Sequence, residues 1–143
     1  MPSHPYLRAY MAGLVAPSIV VCLVGLIVVP LFREIPFDIE RAMIFPMAIN
    51  PAVWGIWNIV YVWLGDGRRL PIAWHGALLP LFLLPMGLAV ARLLSISFVT
   101  VEGTALVTLP TVVAYYVFWK YIVRFLNDLL QIAKNPNESG RQL

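Results

Sequence analysis

The string Asn50-Pro51-Ala52-Val53-Trp54-Gly55-Ile56-Trp57-Asn58, followed by Tyr61, sets two amides and three ring donors inside an otherwise apolar stretch. At helical spacing Asn50, Trp54, Trp57 and Tyr61 share one face, with Asn58 beside it. Amides and indoles neither ionise nor attack. Their chemistry is hydrogen bonding, and in hydrocarbon an unbonded amide is costly, so this face should point at protein or water and away from lipid. Two uses follow: interhelical glue through a neighbour's backbone, or a pocket for a small ligand or quinone ring.

A second polar face lies further along, where Thr100, Thr104, Thr108, Thr111 and Tyr115 recur at intervals of three and four residues. A threonine hydroxyl can bond the carbonyl one turn earlier on its own helix, which makes threonine cheap in a membrane. We expect these two faces to meet, for packing before passage.

The ionisable candidates are few. Arg92 and Glu102 flank a short turn containing Ser95 and Ser97 and suit an interfacial ion pair. His75 follows Trp74 near the start of an apolar run; haem ligation would need a second axial ligand, from His4 or from His75 of a second copy. No cluster of His, Cys and carboxylates has zinc spacing, so no metal is expected. Asp38 and Asp66 fall in loops on opposite sides of the membrane, Ser18 and Ser95 have no base near them in sequence, and no glycine-rich phosphate loop precedes a helix. Catalysis is not the expected role.

The elements that carry these residues are set by apolar length. A hydrocarbon core about 30 Å thick takes roughly 20 residues of helix, and four runs qualify: residues 11–32, 45–64, 70–94 and 98–123. Of the chain's 143 residues 61% are hydrophobic and 12% charged, which excludes an ordinary soluble domain. The charges gather in the breaks, as Arg33, Glu34, Asp38, Glu40 and Arg41, then Asp66, Arg68 and Arg69. Seven of the ten Lys and Arg residues lie in the N-terminus, the second loop and the C-terminal part. Basic segments stay in the cytoplasm, so both termini should be there. The net charge of +3 flanks the spans and forms no stripe, so nucleic acid is not a partner.

Each run contains proline: Pro17 and Pro30, then Pro46 and Pro51, Pro80 and Pro85, and Pro110. Such positions kink a membrane helix and free a carbonyl for other donors. Small residues in Ala9-x3-Gly13, Ala12-x3-Ala16 and Gly87-x3-Ala91 suit close helix approach. Cys22, alone and in mid-span, is a packing residue. Pro36, Asp38 and Glu40 suit the start of a short surface helix in the first loop, with Phe37 and Ile39 dipping into the interface. Trp119 and Tyr121 are expected in the interfacial aromatic belt. Beyond the last span, Phe125, Leu129 and Ile132 continue a helical period as an amphipathic extension to residue 134, and residues 135–143 form a tail of turn formers.

The sequence thus reads as an all-α integral membrane protein, a single four-helix transmembrane domain of residues 1–134 with proline-kinked helices and both termini cytoplasmic, multi-pass in the cell membrane. Four helices enclose little space, so further copies or other membrane subunits are expected beside the lipid bilayer. The leading functional expectation is a non-enzymatic accessory or assembly subunit, or a homo-oligomeric bundle, without cofactor. A small-solute or ion transporter built from several copies is the alternative. A third is a quinone- or haem-associated anchor using His75, Trp54 and Trp57.

Overall fold

A computed structural model describes residues 4–31, 39–64, 70–97 and 99–132. Among them the regular structure is entirely helical: α1 (Pro5–Leu31), α2 (Ile39–Trp63), α3 (Ile72–Leu93) and α4 (Val101–Phe118), then a π-helical turn (Trp119–Val123) that runs directly into α5 (Arg124–Leu129). Among the described residues three stretches, Pro5–Ile27, Ile72–Leu93 and Val101–Leu129, are long and apolar enough to cross a membrane.

The helices run further than the apolar runs alone indicate. α1 begins at Pro5, where proline suits a first helical position because its missing N–H would be unbonded there anyway. α2 begins at Ile39, so residues 39–41 continue into the same helix as Asn50 and Trp54 and make no separate surface helix. Pro36, Phe37, Asp66, Arg68, Arg69 and the tail of residues 135–143 lie outside the described residues. Pro17, Pro30, Pro80, Pro85 and Pro110 all sit inside helices that continue through them.

The ends are capped locally. Thr100 accepts from the Gly103 N–H through Oγ1 (3.1 Å) at the start of α4, and Glu102 lies in that helix's first turn, where a carboxylate complements the helix dipole. α3 closes with Ser95 at φ 57°, while Ile96 N–H reaches back to Ala91 O (2.8 Å). The same left-handed closure recurs after α5, with Gln131 at φ 53° and Ile132 N–H donating to Asn127 O (3.0 Å).

α1 packs chiefly on α2, and α3 on α4. The first contact rests on small residues: Ala9, Ala12 and Ala16 are buried, and a Cβ added at Gly13 would sit 2.5 Å from the Trp54 carbonyl oxygen. Close backbone approach of this kind replaces the hydrophobic effect as the source of helix association in lipid. The two pairs join around a core of Ala16, Trp54, Leu79, Leu83, Trp119 and Val123.

Candidate functional site

Among the described residues the polar side chains inside the bundle form three groups, ordered from the end where α1 begins and α5 finishes to the end where α3 finishes and α4 begins. At the first end, Asn58 and Asn127 exchange amide hydrogen bonds: Asn58 Nδ2 donates to Asn127 Oδ1 (2.8 Å) and Asn127 Nδ2 donates to Asn58 Oδ1 (3.1 Å). Asn58 Nδ2 also donates to Ala9 O (2.7 Å). Three elements, α1, α2 and α5, are tied at one point. Asn58 is 0% and Asn127 4% exposed, so water cannot substitute for either partner. Beside this group Arg8 donates to Leu130 O (3.4 Å), bringing the first turn of α1 to the end of α5.

Asn127 reaches that position through the π turn. Residues four apart on an α-helix drift by about 40° per step, so Trp119, Val123 and Asn127 would spiral off a common line. The wider turn at Trp119–Val123 absorbs this drift, and all three residues are buried. Phe125 and Leu129 face outward instead, at 62% and 64% exposed. The helix continues to Leu129 with Asn127 turned inward and Phe125 and Leu129 sharing the outer side, and residues 133 and 134 of the expected extension lie outside the described residues. The position expected for Trp119 is corrected. It is 0% exposed in the core, not in an interfacial belt, while Tyr121 is exposed. Sequence spacing held one signal for this, the four-residue repeat of Trp119, Val123 and Asn127.

The second group surrounds His75. Its ring lies 4.9 Å from that of Trp57, 5.3 Å from Tyr61 and 5.9 Å from Trp119. Its main-chain carbonyl accepts from Trp57 Nε1 (2.9 Å). Gly76 makes room for this cluster, since a Cβ there would collide with the Trp119 ring. His75 Nδ1 and Trp119 Nε1 are buried without a hydrogen-bond partner among the described residues. Trp54 continues the aromatic layer, with ring centroids 4.7 Å from Tyr115, 6.3 Å from Phe118 and 5.7 Å from Trp119. No group of three or more His, Cys, Asp or Glu able to hold a metal occurs among the described residues.

The third group lines a cavity of about 390 Å³ between α3 and α4, with Asn50 of α2 at its side. Its deep end is the Asn50 and Tyr115 pair, in which the Tyr115 hydroxyl donates to Asn50 Oδ1 (3.2 Å). Thr104 and Thr111 lie along it, but their hydroxyls donate to Thr100 O and Val107 O on their own helix (both 2.7 Å). Thr108 donates to Thr104 O (2.8 Å) and lines an adjoining cavity of about 240 Å³. The remaining walls are aliphatic, from Leu83 and Leu84 to Leu94 and Val99. Chemically, the cavity offers shape and a single polar end.

No protein family, curated protein or solved structure matches the chain. The arrangement of its own side chains is what speaks to function.

The structure brings Asn50 to Tyr115 and Trp57 and Tyr61 to His75. It puts Asn58 with Asn127 instead, apart from the threonines. Arg92 and Glu102 form no ion pair among the described residues; α4 begins only at Val101, so Glu102 sits at the helix end and is exposed.

Proposed function

We propose that the chain is a non-enzymatic, four-span membrane subunit, with α2 as the fourth span and both termini in the cytoplasm, whose role is assembly with other copies or other membrane subunits. The observation that carries this reading is the position of α4. It has no buried residue along its 18 residues, it borders the two cavities on one side, and it exposes Leu106 and Leu109 at 79% and 71% on the outside. It pairs with α3 and reaches the core through Tyr115, Phe118 and the π turn. A helix in which the chain's own packing buries no residue is suited to being covered by another. The interior amides support the same reading, because Asn58 and Asn127 are spent on joining α1, α2 and α5 and are not presented to a substrate.

The test is isolation of the tagged full chain from its own host in mild detergent. Stoichiometric co-elution of further copies or of other membrane proteins is the expected result, and elution as a lone chain would overturn the proposal.

An oligomeric pathway for a small solute or ion is the second reading, favoured by the cavity that reaches Asn50 from the end where α4 begins. Below Asn50 the bundle is filled by Trp54, Trp119 and Val123, so a path would have to run between protomers. Flux through liposomes holding the chain alone would move this reading to first place.

A further inference from the structure

The larger cavity has the size and polarity of a ligand site in its own right, whatever partners the chain assembles with. Its volume of about 390 Å³ falls in the range of small-molecule pockets, which are mostly apolar with a few placed polar groups. Tyr115 lies midway along the continuous helical stretch Val101–Leu129, so the polar end is deep. From Thr100 at the mouth to Tyr115 the helix rises roughly 22 Å, a length that suits a chain-shaped molecule. The polar end is also incompletely used. Asn50 accepts from Tyr115 through Oδ1, and its Nδ2 has no hydrogen-bond partner among the described residues, although Asn50 lines the cavity and is half-buried. With Oδ1 turned to the Tyr115 hydroxyl, the free donor is the NH2 group.

We propose that this cavity binds a membrane-soluble molecule with a carbonyl-bearing head and a hydrocarbon tail, of the isoprenoid-quinone kind. The head carbonyl accepts from Asn50 Nδ2 at the deep end, and the tail lies along the aliphatic walls of α3 and α4 toward Thr100. A plain acyl chain fits the walls but leaves the amide unanswered, and a polar solute answers the amide but not the walls. The Tyr115 oxygen, still able to accept, suits the hydroxyl of the reduced head as well.

Equilibrium binding to the full chain in nanodiscs tests this with two probes, decylubiquinone and decylbenzene, which share a decyl tail and differ in the carbonyl and methoxy oxygens and the ring methyl of the head. Decylubiquinone should bind at least tenfold more tightly to the wild type than decylbenzene. Asn50→Leu should weaken decylubiquinone about tenfold, the loss of one hydrogen bond, and leave decylbenzene unchanged. Gly87→Leu, which fills the cavity wall without touching the polar end, should reduce binding of both. Equal affinity of the two probes for the wild type would overturn the proposal, as would unchanged decylubiquinone binding in a folded Asn50→Leu protein. The wild-type comparison stands even where Asn50→Leu fails to fold.

Discussion

The two asparagines that face each other across α2 and α5 show how a buried amide acts when its only available partners are other protein groups. Each single replacement strands the other amide in a dry interior, which costs about 1 to 3 kcal/mol, whereas replacing both removes the demand along with the supply. Asn58→Leu and Asn127→Leu should therefore each lower the unfolding free energy in mixed micelles by that order. The double variant should lose clearly less than the two single losses combined, a coupling that a double-mutant cycle measures directly. Additive losses would mean that the pair does not hold the three elements together. Glu102 provides the contrast. It lies exposed in the first turn of α4, with no ion-pair partner among the described residues. Glu102→Gln should leave expression, assembly and unfolding midpoint at wild-type values, and loss of flux in a correctly assembled Glu102→Gln protein would instead mark it as a proton or cation site.

Close approach sets the geometry of α1 on α2, and glycine is what permits it. With a Cβ at Gly13 placed 2.5 Å from a backbone oxygen and 2.9 Å from Gly55 Cα, Gly13→Leu cannot be absorbed by a flexible side chain. Overpacking of this kind costs about 1 to 3 kcal/mol, and the added separation should also break the bond from Asn58 to Ala9 O. A matching drop in stability and loss of protection of the α1 amides from hydrogen exchange would report it. The π turn makes a second prediction for helix geometry. Deleting Tyr121, an exposed residue within that turn, should convert it to α-helix and leave Asn127, then seven residues from Trp119, on the same face and within reach of Asn58. In that background Asn127→Leu should still lower the unfolding free energy by about 1 to 3 kcal/mol, and no loss there would mean that the deletion had moved Asn127 off the shared face. These two elements also show where sequence reading stopped. Apolar run length made the helices readable, and three- and four-residue spacing marked the faces that carry Asn50 and Tyr115. The partners were another matter. Trp119 sits beside Lys120 and Arg124 in sequence, basic neighbours that suit a membrane edge, and nothing in local periodicity announces an inserted residue that realigns a helix. The neighbours of His75 come from α2 and the π turn, and only tertiary packing brings them to its ring.

The described residues form a bundle that is closely packed where α1 begins and α5 ends and more open where α3 gives way to α4. Amides, aromatic rings and small-residue contacts fill the first end, while α4 borders cavities at the second and exposes its outer side. If both termini face the cytoplasm, single cysteines placed at Ser3 or Ser139 in a Cys22→Ser background should resist impermeant maleimide added to intact cells and react once the cells are opened. Labelling of either from outside would reverse the charge argument. The claim that the chain is a subunit meets its most direct test in native mass spectrometry of particles released from mild detergent. The account predicts masses above that of the 16.0 kDa chain, as multiples of it or with other membrane proteins added, and predicts that polar replacements at Leu106 and Leu109 reduce them. A single 16.0 kDa chain as the sole species, unaffected by those replacements, would contradict it.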